Sequence, residues 1–290
     1  MTGVRPARAL ERAGLVRTAH AARELRWAAA ELRPLLRPDR AARLTRAWMR
    51  DRAGRRGYRL LSEDELRSTR SSDTAFVFGS GRSILEIGPE EWRRIAQHDT
   101  VTFSSFHRLR AVRIDYHLVA EVVDRDETGT SIRSNPCYAD TVFLVVEGWI
   151  AEAGNDLVGR RLLPPGARIF RYRRVARGRI APPNRSFADG LVHGANTSFD
   201  AVNFALLMGW RRIVVAGVDL YDKRYFWLGP NETRAHEHPG VTAATPFPSA
   251  GHIVEMFGLW REAAAHEGTE LLVYNPRSLL AQALPVFRWS

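Results

Sequence analysis

Short apolar runs recur along the chain from Thr74 onward. Residues 75–78, 99–103, 116–123, 141–146, 212–217 and 270–274 are compact and apolar, the pattern of buried strands. Between them the spacing predicts a turn and helix over 84–97, a helix through 203–207 that closes at Gly209, and a helix over 253–266. Strands alternating with helices predict an α/β fold, a Rossmann-like, mostly parallel sheet with helices on both faces. Upstream the texture differs. Leu15, Ala19, Ala22, Leu25, Ala29 and Leu32 follow one another at three- and four-residue spacing, with most arginines on the other faces. Gly14 weakens the first turn of that helix, Pro34 and Pro38 break the pattern, and a further helix is predicted over 41–49. The chain thus reads as an Arg-rich helical extension over 1–70 and one α/β domain over 71–290.

A length of 290 residues allows a sizeable core, and 45% hydrophobic with 26% charged residues is the composition of a soluble globular protein. The longest apolar runs, such as 213–218, are too short to cross a bilayer. No charged-then-apolar leader opens the chain, and the single cysteine, Cys137, cannot form an internal disulfide. A reducing cytoplasm is the expected compartment. The formal net charge of +11 suggests nucleic acid until its distribution is read. Residues 1–60 hold 16 Arg and 5 acidic residues, whereas the rest holds 27 basic and 27 acidic residues. A neutral body argues against a nucleic-acid partner. The basic leader suits a solvated extension or a peripheral contact with an anionic membrane at its inner face.

Candidate chemistry gathers at two glycine turns. Gly79-Ser80-Gly81-Arg82-Ser83 leaves the first apolar run. Its glycines let backbone approach a phosphate, and the N-terminus of the following helix favours the negative charge. The turn lacks the Gly-Lys-Ser end of a Walker loop and is not a full dinucleotide fingerprint. Gly217-Val218-Asp219-Leu220-Tyr221 leaves a later strand, followed by Arg224, Tyr225 and Phe226. The stretch from Leu228 to Gly251 shows no periodicity and is rich in Gly, Pro, His and Thr, so residues 222–251 read as a lid. His252 closes that segment and titrates near neutrality, as a general base should.

From these residues the chain resembles the bacterial sialyltransferases of glycosyltransferase family 42. The likeness begins at Phe76-Val-Phe-Gly-Ser-Gly-Arg-Ser83 and continues at Asn196-Thr-Ser198. It runs through Ala205-Leu-Leu-Met-Gly-Trp-Arg-Arg-Ile-Val-Val-Ala-Gly-Val-Asp-Leu-Tyr221, reaches Ser249-Ala-Gly-His252, and ends at Tyr274-Asn-Pro-Arg-Ser-Leu-Leu280. Residues 1–70 have no counterpart in it. The resemblance implies a nucleotide-binding fold of the GT-A variant type and inverting transfer of sialic acid from CMP-sialic acid to a glycan acceptor. It implies no cofactor and no metal, since hydroxyl donors can stabilise a departing monoester phosphate. It also implies self-association. On the same ground His252 is the base, and Tyr221 and Tyr225 bond the leaving phosphate. Gly79, Ser80, Gly81 and Ser83 line the nucleotide site, with Ser104, Thr197, Ser198, Gly217 and Asp219 around it.

The chain departs from that pattern in places. Ser80 stands where the family carries Asn, a second Asn falls near Ser104, and the family's Thr-Ser-Gly becomes Asn196-Thr-Ser-Phe199. The arginine preceding it is replaced by His193 or Gly194. These changes leave Kdo, a legionaminic-type sugar or another acidic donor open. Residues 160–185 carry nine Arg and no acid, either a charge source for an anionic ligand or an exposed connection. Asp124-Arg-Asp126 after an apolar run is the alternative for a metal-dependent UDP- or GDP-sugar transferase. A pterin or diphosphate-transferring enzyme of related architecture stays open as well. His236-Glu237-His238 lacks a placed third ligand and reads as loop. Trp210 reads as core, and Trp227 as a candidate acceptor contact.

Overall fold

The computed structural model describes residues 38–289 apart from 121, 123, 176–179, 195, 222–223 and 230–249. Ten strands and seven α-helices of four or more residues alternate along the described chain. They are α1 (Pro38–Gly54), β1 (Arg59–Leu60), α2 (Glu63–Arg67), β2 (Thr74–Phe78), α3 (Pro89–Ile95), β3 (Asp99–Phe103) and β4 (Tyr116–Val119). Then follow α4 (Arg125–Ser134), β5 (Val142–Val146), α5 (Glu152–Gly159), β6 (Arg168–Tyr172), β7 (Arg174–Val175) and β8 (Leu191–Val192). The chain closes with α6 (Thr197–Met208), β9 (Arg212–Ala216), α7 (Ala250–His266) and β10 (Glu270–Val273). Eight strands form one sheet in the order β1-β6-β5-β4-β3-β2-β9-β10, and every pair in it is parallel. A separate parallel pair joins β7 and β8.

The apolar runs are strands because both faces of the sheet are covered, which removes the polar alternation of a half-solvated sheet. In β2, Ala75 and Val77 enter one core layer while Phe76 and Phe78 enter the other. In β9, Ile213 and Val215 face the first layer, and Val214 and Ala216 the second. The first layer is filled by Phe199, Val202 and Phe204 of α6 and by Met256, Phe257 and Trp260 of α7. The second holds Ile95 of α3, Ile132 of α4, and Leu157 and Val158 of α5. Trp210 lies in the core as expected, its indole N–H donating to the Asp99 carboxylate at 2.7 Å. Gly209 caps α6 in the left-handed region, φ +78°.

Some elements depart from their expected bounds. The run 116–123 ends as a strand at Val119, and Asp124 then caps α4 by accepting from the Glu127 amide. Strand β6, Arg-Ile-Phe-Arg-Tyr, carries two charges that obscure it in the sequence. One of them, Arg171, is paired with the fully buried Asp51 of α1 at 2.9 Å.

The same pair corrects the boundary expected at residue 70. Leu44, Ala47, Asp51 and Gly54 of α1 are buried, β1 is the sheet's edge strand beside β6, and α1 crosses α5 where Gly54 meets Gly159. Residues 38–70 are therefore part of the sheet domain. The helix expected over 15–32 lies outside the described residues, as do His236–His238 and most of the expected lid. Among the described residues no helix is long and apolar enough to cross a membrane.

Candidate functional site

The chain leaves β2 through α3 on one face toward β3, and leaves β9 through α7 on the other face toward β10. The connections therefore part company between β2 and β9, the switch point at which sheets of this kind form a crevice beyond the carboxyl ends of their strands. Both glycine turns fall there.

These turns pack on each other. The Gly79 amide donates to Ala216 O at 2.8 Å and the Gly81 amide to Gly217 O at 2.7 Å. A Cβ on Gly79 would sit 2.4 Å from Gly217 O, and one on Gly81 2.4 Å from the Asp219 carboxylate. Gly217 has φ +66°. The glycines are thus required by the approach of one loop to the other. This corrects the expectation that their amides face a phosphate. A second correction concerns the helix after the turn, because Arg82–Glu86 is a single 3-10 segment and α3 begins only at Pro89.

Asp219 staples the crevice. Its buried carboxylate accepts from the Ser83 amide at 2.9 Å, from Ser83 Oγ at 2.5 Å, and from Asn275 Nδ2 at 3.3 Å. Burial pushes this carboxyl upward, and the Ser83 bonds oppose the rise. The segment Asn275-Pro-Arg-Ser-Leu279 clamps the same loop from the β10 side. Ser278 Oγ donates to Val218 O at 2.7 Å and the Leu279 amide to Asp219 O at 3.1 Å. Leu220 holds φ +65°, a conformation costly for a side chain with Cβ and sustained here by those clamps.

Asn275 Nδ2 also lies 3.5 Å from the Tyr221 hydroxyl. Burial, reinforced by the negative charge of Asp219, raises the Tyr221 pKa, so its hydroxyl keeps its proton at neutral pH. Tyr225 makes an isolated antiparallel bridge to Gly81, and the Phe226 amide donates to Ser80 O at 3.2 Å. The Tyr225 ring stacks on Trp227 at 4.6 Å between centroids. Gly79, Ser80, Gly81, Ser83, Gly217, Asp219, Tyr221 and Tyr225 are therefore brought to one place. Ser80 Oγ is buried there without a hydrogen-bond partner among the described residues.

The other expected residues lie around the same end of the sheet. Ser104 follows β3 with φ +53°. Helix α6 leads through a short turn to the start of β9, so its first residues lie at the strand ends. There Asn196 caps the helix by accepting from the Ser198 amide at 3.0 Å, and Thr197 Oγ1 is buried without a hydrogen-bond partner. His252 stands in the first turn of α7. One turn on, the Met256 methyl would lie 2.8 Å from a Cβ on Gly194, so the start of α7 abuts the segment that leads into α6.

Sequence reasoning missed a buried charge cluster beside that segment. Asp200, in the first turn of α6 and fully buried, forms an ion pair with Arg174 at 3.0 Å and accepts from His193 Nδ1 at 2.7 Å. Its only trace in the sequence is the arginine-rich stretch 160–185, whose cations serve the fold in several places. Arg171 binds Asp51, Arg174 binds Asp200, Arg173 bonds Ala188 O and Arg168 bonds Asp140 O. In the Asp-x-Asp stretch, Asp124 is a helix cap and Asp126 pairs with Arg160 at 2.6 Å.

Solved structures to which the chain is similar include the following two. One is MAf glycosyltransferase from Magnetospirillum magneticum AMB-1, at 14% identity and a TM-score of 0.49 over 80% of this chain. This chain spans 36% of that one, about a third of its length. The other is monofunctional alpha-2,3-sialyltransferase Cst-I from Campylobacter jejuni, at 12% identity and a TM-score of 0.46 over 78% of this chain and 82% of that one. No protein-family model and no curated protein matches the chain.

Proposed function

We propose that the protein is an inverting glycosyltransferase that moves an acidic sugar, sialic acid or a relative, from a CMP-sugar to a glycan acceptor. The observation that carries this reading is the Asp219–Asn275–Tyr221 chain at the β2/β9 crevice. It holds a protonated tyrosine hydroxyl beside two interlocked glycine turns, with Tyr225 tied to Gly81. In this reading the acceptor oxygen attacks the anomeric carbon while His252 takes its proton. The bond to phosphate breaks with its electron pair on oxygen, and the Tyr221 and Tyr225 hydroxyls donate to that oxygen. Donors held in place for a developing charge lower the barrier without a divalent ion. The buried hydroxyls Ser80 and Thr197, each lacking a partner, are suited to polar groups of the nucleotide-sugar. Ser104 and Ser198 complete the rim. A cytoplasmic, self-associating enzyme touching an anionic membrane through its basic N-terminal region completes the proposal.

The test is direct. CMP should raise the melting temperature more than UMP or GMP does. Among CMP-, UDP- and GDP-sugars only the first should be hydrolysed, with or without EDTA. His252→Ala should abolish transfer and leave CMP affinity within about twofold, a difference smaller than one hydrogen bond. Turnover retained by that variant, or hydrolysis that needs a metal, sinks the mechanism.

A further inference from the structure

Among the described residues, the crevice turn carries a cation with no paired carboxylate. Arg82 stands between Gly81 and Ser83, half-buried, and its Nη1 is buried with no hydrogen-bond partner. The carboxylates around it are engaged elsewhere. Asp219 is taken by Ser83 and Asn275, and Glu86, at the end of the same 3-10 segment, pairs with Arg277. A guanidinium cannot shed its proton, so a buried nitrogen of this kind requires an acceptor. Arg171 and Arg174 also bury nitrogens without a hydrogen bond, but each of them sits in an ion pair, with Asp51 and Asp200.

We propose that Arg82 is the phosphate-binding cation of this crevice, the group that meets the nucleotide phosphate and neutralises the charge gained as the phosphate departs. The inference rests on the nucleotide-sugar reading above and adds to it the source of positive charge. The Gly79, Gly81 and Ser83 amides are spent on loop packing, so the anion is held by a side chain instead of a backbone cradle. When the bond from the anomeric carbon to the phosphate oxygen breaks, the phosphodiester with one negative charge becomes a monoester dianion, the electron pair staying on that oxygen. A planar fork of donors then strengthens its hold on that dianion. Proton transfer is not asked of Arg82. The acceptor's proton goes to the histidine base.

Binding of CMP and of cytidine to the full chain, by calorimetry, separates phosphate from base. Arg82→Ala should weaken CMP roughly ten- to hundredfold, the loss of hydrogen bonds to a charged group, and leave cytidine unchanged. Arg82→Lys, which keeps the charge on a similar stem, should recover part of the loss. The salt dependence of CMP binding should be shallower in Arg82→Ala than in wild type. CMP affinity unchanged in Arg82→Ala overturns the proposal, and so does an equal loss for CMP and cytidine, which marks a merely structural residue. The nucleotide reading fails differently. If wild type binds AMP, GMP and UMP as well as CMP, the cytidine assignment falls, while each nucleotide compared with its nucleoside still decides Arg82.

Discussion

Two buried histidines put a pH dependence into single side chains. His117 in β4 is fully enclosed, with Nδ1 at 2.8 Å from Thr102 Oγ1 and 3.2 Å from the Tyr138 hydroxyl. Burial pushes its pKa down to about 3, and that of His107 to about 4, from the ordinary 6.5. Both are neutral in the fold, whereas the unfolded chain protonates them near 6.5, so below that pH the unfolded state binds more protons. Stability from these residues is complete above pH 6.5 and is lost as pH falls toward 4, by at most about 1.4 kcal/mol per unit for each histidine. Asp115 and Asp219, whose pKa values burial raises, act in the opposite sense at the lower end of that range. Urea unfolding of wild type between pH 7 and 5 should therefore show falling midpoints. His107→Gln should flatten the slope by about one proton's worth, about 1.4 kcal/mol per unit. An unchanged slope removes His107 from the account.

At the scale of elements, glycine decides where helices can meet. A Cβ on Gly54 would lie 2.3 Å from Val158 O and 2.7 Å from the Gly159 Cα, both backbone atoms that cannot swing aside. Gly54→Ala should force α1 off α5 at a cost of about 1–3 kcal/mol. It should also speed amide exchange across α1 ahead of the sheet. Gly258, in the middle of α7, offers the opposite sign, since a Cβ there meets only Ala283 Cβ at 3.7 Å. Gly258→Ala should stabilise by about 0.5–1 kcal/mol through lower unfolded-state entropy. Paired melting curves check both. The two glycines look alike in sequence. Only the crossing of helices more than a hundred residues apart in sequence tells one from the other.

For the whole molecule, the basic N-terminal segment belongs to the architecture as far as residues 38–70 are concerned. A chain beginning at Ser71 loses β1, α1 and the partner of Arg171, leaving a buried guanidinium against a bare sheet edge. Such a truncation should lower stability by about 3 kcal/mol or more, the range found for removing one member of a buried ion pair. A truncated chain with an unchanged unfolding midpoint would make the segment an appendage after all. The α/β class, six of the strands and both glycine turns were legible in the sequence, because strands buried on both faces are written as local apolar runs. Three things were not. Strand β6 hides its charge in Arg171–Asp51, the glycines at 79 and 81 yield to a loop 138 and 136 residues further on, and Asp200 gathers Arg174 and His193. Sequence by itself determined which residues could be buried or could turn, since those are properties of single side chains and short spacings. Tertiary structure alone decided which charges cancel and that Arg82 has no paired carboxylate among the described residues, because ion pairing depends on distances that the fold sets between remote parts of the chain.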